Sequence, residues 1–233
     1  GRLYAGVLAP AHGSAQTSEA RIFATLMQHA ALLEGEPSDL DPWWTLLLFF
    51  NSLRELGSAL TLFSADTREY LRVVLTRHGV DYARIRQLFR VEELTSRIRG
   101  DHIPRVLEQL DVPLREREGK PTNTPSPIDA CLASNIIEVG VDIQRLSLMA
   151  IVGQPKTTAQ YIQVSSRIGR DPNKPGIAVA IYGQTRPRDR SHYERFRSYH
   201  QKLYANVEPT SVTPFSPPAV ERALHGLIAA LVR

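Results

Sequence analysis

Short apolar runs alternate with segments of helical period along most of this 233-residue chain. Continuous apolar runs are typical of strands buried on both faces, and they predict strands at 3–8, 45–50, 128–133, 147–152 and 176–182, with a brief strand at 94–96. Apolar residues at helical spacing predict helices at 17–34, 53–63, 67–77, 101–110 and 158–167. Strands that alternate with helices indicate an α/β fold with a parallel sheet and right-handed crossovers.

Two stretches show neither pattern and are predicted to be loops. The first is 35–42, and the second is 114–127, where charged residues give way to prolines separated by Thr and Asn, so we expect an exposed, mobile loop.

The end of the chain predicts two more helices, at 190–204 and 218–232. We therefore expect one domain over 1–185 and a helical C-terminal extension over 186–233 that packs on it.

Composition says more about the cellular environment of the protein than about its function. The net charge of +4 suits a polyanionic partner without requiring one. The longest apolar run, 43–50, falls short of the ~18 residues that cross a bilayer, so no membrane contact is expected. A single cysteine, Cys131, excludes an internal disulfide and a cysteine-rich zinc site, and we expect a cytoplasmic protein with a buried thiol. The first residues show neither an initiator Met nor a signal peptide, which predicts a piece of a longer protein.

The most informative stretch is 163–171, which reads QVSSRIGRD. Arg167 and Arg170 follow each other near the C-terminal end of a predicted helix, with Gly169 between them to permit a tight exit. We expect both guanidinium groups to point outward on one face. The donors of a guanidinium match phosphate oxygens, so the pair suits a nucleoside triphosphate presented by another surface. The alternative is a pair of solvated cations that complement the helix dipole.

Two segments carry a resemblance to a known family. Residues 163–170 resemble helicase motif VI (Q-x-x-G-R-x-G-R), and 133–143 resemble motif V (T-D-x-x-x-x-G-x-D-x-P), with the strand 148–152 between them. The chain departs from these patterns where Ser134 and Asn135 replace Thr-Asp, Gln144 replaces Pro and Ser166 replaces the first Gly of motif VI.

The chain thus resembles the second RecA-like lobe of superfamily 2 helicases. The stretches at 153–161, 186–189 and 191–194 resemble, more narrowly, the large helicases of DISARM anti-phage systems.

The resemblance implies a RecA-like three-layer fold and a set of site residues. Arg167 and Arg170 would be arginine fingers, the catalytic residues of this lobe. Nucleotide contacts would come from Gly140, Asp142, Gln163 and Gly169. Nucleic-acid contacts would come from Asn51, Ser52, Thr95, Ser96, Arg97, Ser134 and Asn135. Simpler readings stay open for Asp142 as a turn residue, for Asn51 and Ser52 as a helix N-cap, and for Thr95 to Arg97 as a capped surface turn.

The chain lacks a G-x-x-x-x-G-K-[ST] phosphate loop and a D-E-x-H strand end. We therefore expect it to hydrolyse no ATP alone, with ATP and Mg²⁺ bound mainly by the N-terminal RecA-like lobe of the same parent chain. The expected partners are that lobe, a nucleic acid and other defence-system subunits, and the DISARM-like features favour DNA.

Arginine-rich stretches at 84–90, 97–105 and 186–197 would line a groove for the nucleic-acid backbone, or form solvated faces.

Two other classes of protein are alternatives to the helicase interpretation. A nucleic-acid-binding or assembly module would keep the fold and use no nucleotide. A self-contained nuclease or small-molecule enzyme is disfavoured, because the predicted strand ends carry no paired carboxylates, no Ser/His/Asp set and no His-rich metal ligands.

Overall fold

The computed structural model describes residues 1–10, 14–115, 126–134, 143–209 and 216–231. Its strands are β1 (Arg2–Ala9), β2 (Leu46–Phe50), β3 (Val91–Leu94), β4 (Ala130–Ala133), β5 (Leu148–Val152) and β6 (Gly176–Gly183). Its α-helices are α1 (Ala15–Leu32), α2 (Pro37–Trp44), α3 (Leu53–Ser64), α4 (Asp66–His78), α5 (Ile103–Leu110), α6 (Thr158–Ser165), α7 (Pro187–Glu194), α8 (Phe196–Gln201) and α9 (Pro217–Leu231).

The six strands form one parallel sheet in the order β1-β6-β5-β2-β4-β3. Successive side chains of a strand point to opposite faces, so the fully apolar β2 supplies both sides of the core. Leu46, Leu48 and Phe50 pack with α1, α3 and α4, while Leu47 and Phe49 pack with α5 and α6. The prediction of a parallel sheet covered by helices on both faces is confirmed.

Several predicted elements were wrong in their type or their bounds. The loop expected at 35–42 is largely occupied by α2, because Pro37 stands in the first turn, where a proline is preorganised for the helix. Helix α6 ends at Ser165, two residues before its predicted end at 167. The brief strand expected at 94–96 is β3, which ends at Leu94. Most of the loop expected at 114–127, namely 116–125, lies outside the described residues.

The helix predicted at 190–204 is also wrong. Pro187 starts α7 earlier, and the backbone leaves helical geometry at Arg195 and again at Lys202, so α7, α8 and a 3₁₀ turn at Leu203–Asn206 replace one helix. Tyr199 is buried, and the Phe196 ring packs on the backbone of Gly6 in β1.

The C-terminal helix α9 presents exposed apolar side chains at Val220, Leu224, Ile228 and Leu231. In the described part of the chain, no helix is both long and apolar enough to cross a membrane. Cys131 is fully buried in β4, and burial raises the pKa of its thiol to about 12, so the expected buried thiol is confirmed.

Two buried ion pairs hold the edge of the sheet where β2, β4 and β5 begin. Arg86 donates from Nη2 to Oδ1 of Asp129 over 3.0 Å, and its guanidinium lies 3.7 Å from the centre of the Trp44 ring. Arg145 donates from Nη1 to Oδ1 of Asp41 over 2.9 Å. Arg86 therefore faces the core, and the prediction that its arginine-rich stretch lines a groove or a solvated face is wrong at this residue.

Replacing Asp129 by alanine should destabilise the chain strongly. The side chain of Arg86 is 0% exposed, so the substitution leaves its charge buried without the carboxylate that pairs with it, and we expect the free energy of unfolding to fall by about 3–5 kcal/mol. Urea unfolding measures the loss. As a control, Glu69→Ala breaks the exposed pair with Arg72 and should cost at most about 1 kcal/mol. An equal loss of unfolding free energy for both variants would contradict the conclusion that the buried pair of Arg86 and Asp129 stabilises the fold more than an exposed pair does.

Candidate nucleotide and nucleic-acid contacts

The turn after α6 carries both predicted finger arginines. Arg167 and Arg170 are half-buried and flank Ile168, whose side chain is fully buried. Both were expected at the C-terminal end of the helix, but α6 ends at Ser165, so both lie beyond it in a turn that contains the buried Ile168. Arg170 donates from Nε to the carbonyl of Ser166 over 3.1 Å. This hydrogen bond holds the guanidinium of Arg170 close to the backbone of the turn.

Gly169 gives this turn its shape. Its φ of 60° lies in the left-handed region, and its N–H donates to the carbonyl of Leu146 over 2.9 Å. A Cβ at this position would lie 2.6 Å from the backbone nitrogen of Gly176, the first residue of β6. The backbones thus meet too closely for any side chain. Gln163, predicted to contact the nucleotide, lies one turn earlier on α6 and is exposed.

A residue that the sequence did not single out also contacts this turn. Arg2, the first residue of β1, donates from Nε to the carbonyl of Ile168 over 2.8 Å and from Nη2 to that of Ser166 over 3.2 Å. No local pattern could have signalled these contacts, because they join residues more than 160 positions apart. The turn is therefore braced by β1 as well as by β6.

The predicted nucleic-acid contacts lie where β2, β3 and β4 end. Ser52 is the N-cap of α3, where its Oγ accepts a hydrogen bond from the N–H of Glu55 over 3.3 Å. The contacts of Ser52 are therefore those of the helix N-cap that the sequence left open as an alternative. Asn51 donates from Nδ2 to the carbonyls of Val152 and Gly153 over 3.0 and 3.2 Å and so joins β2 to the end of β5.

Glu93 organises the segment that follows β3. Its carboxylate accepts a hydrogen bond from the Thr95 hydroxyl. It also accepts hydrogen bonds from Nε and Nη2 of Arg97, over 2.5 and 2.6 Å. The hydrogen bonds from Arg97 hold the pKa of Glu93 below its usual range. Ser96 is exposed and the side chain of Arg97 is 43% exposed, whereas Thr95 is fully buried. Two of the three predicted contacts in this segment are therefore accessible.

These segments lie at one edge of the sheet. A Cβ added at Gly57 of α3 would lie 3.7 Å from Nη1 of Arg97, so the helix that follows β2 reaches the segment that follows β3. Ser134 follows β4 there, is buried and donates its N–H to the carbonyl of Leu94 over 3.4 Å. Three other predicted residues, Asn135, Gly140 and Asp142, lie outside the described residues.

The turn at 166–170, which carries the two predicted finger arginines and is called the finger turn below, lies at the opposite edge of the sheet. It is beside the amino ends of β5, β6 and β1, as the contacts of Gly169 with Leu146 and Gly176 show. The five residues of β5 separate the two edges by about 17 Å at roughly 3.3 Å per residue. The two groups of predicted residues therefore cannot share one ligand group.

Helix α7 closes the carboxyl ends of β5 and β6. The buried carboxylate of Asp189 accepts the N–H groups of Gln154 and Gly183, each over 2.9 Å. Arg186, just before the helix, pairs with Glu55 over 2.5 Å. Nearby, burial raises the pKa of Glu19 to about 7, and the positive charge of Arg186 opposes that rise.

A chain of buried hydroxyl and amide groups links β6, α6 and α8. It runs from the hydroxyl of Tyr182 through the side-chain amide of Gln154 to the hydroxyl of Tyr199 and on to Oγ1 of Thr158, with donor–acceptor distances of 3.2–3.3 Å. His200 joins Tyr161 over 2.9 Å, and burial lowers the pKa of its imidazole. Within the described ranges, no three His, Cys, Asp or Glu side chains come together as metal ligands.

Comparisons with known proteins agree with this architecture. Residues 60–172 match the helicase conserved C-terminal domain. The whole chain is 44% identical to DISARM protein DrmA of Bacillus paralicheniformis and spans 20% of that protein's length.

Two solved structures are similar in fold, each at 14% identity and with a TM-score of 0.59. Helicase Lhr of Mycobacterium smegmatis, bound to ssDNA and AMP-PNP, aligns with 100% of the chain, and the DUF1998 helicase MrfA, bound to DNA, aligns with 95% of it. The chain covers 26% of each. The fold is thus that of a RecA-like helicase C-terminal lobe, and the predicted resemblances to helicases and to a DISARM protein are confirmed.

Proposed function

We propose that this chain is the C-terminal motor lobe of an ATP-dependent DNA helicase or translocase and supplies its arginine fingers. The observation that carries the proposal is the turn after α6, where Gly169 and the buried Ile168 fix Arg167 and Arg170 at the amino edge of the sheet. A fixed guanidinium stabilises the charge that spreads over a phosphoryl group during its transfer.

In this proposal the two edges of the sheet have different functions. The N-terminal lobe of the parent holds ATP and Mg²⁺ and faces the finger turn, with Gln163 and Gly169 at the nucleotide. Exposed residues at the opposite edge, above all Ser96 and Arg97, contact the phosphates of a strand. Hydrolysis then changes the position of the two lobes relative to each other, and this movement shifts the nucleic-acid strand. The isolated chain does not hydrolyse ATP.

DNA is the nucleic acid that the comparisons favour, because Lhr and MrfA were solved with it. The likeness to DrmA supports a role in antiviral defence together with other subunits. We also propose a cytoplasmic location. We further propose that 1–185 is the RecA-like lobe and 186–233 an extension of it, since Asp189 fastens α7 to the ends of β5 and β6.

The test is DNA-stimulated ATP hydrolysis by the parent protein, as wild type and as Arg170→Ala, with ATP binding measured in both. Hydrolysis that falls by orders of magnitude while ATP still binds supports the motor lobe. Unchanged hydrolysis, together with weaker DNA binding by the same variant, would favour a binding or assembly module that uses no nucleotide.

The pairing of Glu93 with Arg97 leads to a prediction about strand affinity. Because the carboxylate competes with phosphate for the guanidinium, Glu93→Gln should strengthen DNA binding by the parent about tenfold at low salt. It should also steepen the slope of log K against log[salt] by about 0.7–0.9. Fluorescence anisotropy over a salt series measures both.

The matched control is Glu92→Gln, which removes an equal charge one residue away and leaves the contacts of Thr95 and Arg97 intact. Equal effects of the two substitutions would show that net charge, and not the release of Arg97, sets the affinity.

A further inference from the structure

The side chain of Arg2 binds the finger turn from the side of β1. The guanidinium spans two carbonyls of the turn, with Nε on Ile168 at 2.8 Å and Nη2 on Ser166 at 3.2 Å. The carbonyl of Ser166 is also the acceptor for Nε of Arg170, at 3.1 Å. The side chain of the proposed finger and that of Arg2 therefore share one acceptor.

The backbone of Arg2 is itself held in place. It pairs with Gly176 in the parallel register of β1 and β6, and the N–H of Gly176 donates to the carbonyl of Gly1 over 2.9 Å. Gly176 is also the residue against which Gly169 packs. The turn thus lies between the glycine contact on one side and the guanidinium of Arg2 on the other.

The chemistry of a helix end explains why this contact matters. The last carbonyls of a helix and those just beyond it have no partner within the helix, so their direction depends on outside donors. A guanidinium offers donors in a planar fork and can fix two carbonyls at once, which the single ammonium of a lysine does less rigidly. The guanidinium of Arg170 is hydrogen-bonded to the carbonyl of Ser166. A fixed direction of that carbonyl therefore also fixes the position of the Arg170 guanidinium.

We propose that Arg2 is a positioning residue for phosphoryl transfer, which holds the finger turn so that Arg170 reaches the transferred phosphoryl group. The inference rests on the proposed motor function. All eight residues of β1 pair with β6, so the strand keeps its place in the sheet without the side chain of Arg2. Loss of that side chain therefore loosens the turn more than it weakens the fold.

The experiment uses the parent protein, with Arg2→Ala and Arg2→Lys compared with wild type, Arg170→Ala and Leu3→Ala. Leu3 is the matched control, since it neighbours Arg2 on β1, is 63% exposed and makes neither contact. Arg2→Ala should lower kcat of DNA-stimulated hydrolysis about tenfold to a hundredfold, because a small misplacement of a reacting group costs that much. KM for ATP should stay within about twofold, and Arg2→Lys should recover part of the rate.

A second readout separates positioning from a general loss of structure. Binding of ADP with aluminium fluoride, which mimics the transferring phosphoryl group, should weaken in Arg2→Ala, whereas binding of a non-hydrolysable ATP analogue and the thermal midpoint should match those of Leu3→Ala.

If Arg2→Ala behaves like Leu3→Ala while Arg170→Ala is inactive, the inference is overturned and the motor function stands. A parallel loss of analogue binding and thermal stability in Arg2→Ala would also overturn it, by making Arg2 a residue of the fold. Full activity of Arg170→Ala would remove the proposed function and this inference with it.

Discussion

Arg170→Ala in the parent protein is expected to lower kcat of DNA-stimulated ATP hydrolysis by about 10³–10⁵-fold, the range found for arginine fingers. ATP binding should change little, because the finger acts on charge that develops only in the transition state. The backbone around Arg170 is fixed by Ile168 and Gly169, so the missing guanidinium cannot be replaced by a shift of the turn. Steady-state kinetics together with equilibrium binding of a fluorescent ATP analogue measure the two quantities.

The control is Arg77→Ala. Arg77 is an exposed cation in the last turn of α4 and therefore represents an ordinary charge at the end of a helix. Its loss should leave kcat within about twofold of wild type. If Arg170→Ala is no worse than Arg77→Ala, then the guanidinium of Arg170 takes no part in hydrolysis and the chain supplies no finger through it.

Gly169→Ala is expected to lower the free energy of unfolding by about 2–5 kcal/mol, in two parts. A residue with a Cβ at a φ of 60° costs roughly 1–2 kcal/mol. Displacing the backbone of Gly176, which would lie 2.6 Å from that Cβ, adds roughly 1–3 kcal/mol. In the parent, the displaced turn should also lower kcat. Urea unfolding of the chain and kinetics of the parent measure the two effects.

Gly79 allows the two parts to be separated. It ends α4 at a φ of 62°, and a Cβ there would meet nothing within 4 Å, so Gly79→Ala carries only the conformational cost of roughly 1–2 kcal/mol. It should also leave kcat unchanged. Equal destabilisation by the two substitutions would mean that the close approach of Gly169 to Gly176 does not constrain the turn.

The sheet could be predicted because its signal is local. Strands such as β2 are continuous apolar runs, and Ser52 stands directly before a helical pattern whose cap it forms. Prolines misled the prediction, since Pro37 and Pro187 indicate a loop as readily as the first turn of a helix, and both begin helices here.

The parts of the site that could not be predicted depend on contacts distant in sequence. Arg86 is indistinguishable by type from a surface arginine until Asp129, 43 positions away, is placed beside it. Glu93 likewise gave no sign that it would bind Arg97, and the contacts of Arg2 cross most of the chain. Motif VI identified which arginines to consider, but only the fold shows which residues hold them.

The proposed finger arginines and the proposed strand contacts lie at opposite edges of the sheet, so in the proposed motor the lobe would act as a lever. If the lobe pivots at the finger turn, a rotation of about 11° acting over roughly 17 Å moves the opposite edge by roughly 3.3 Å, close to the rise of about 3.4 Å between successive nucleotides. In the proposed motor, such a rotation would produce a step along DNA. The length of that step would depend on the rotation angle and on the length of β5 and its neighbours.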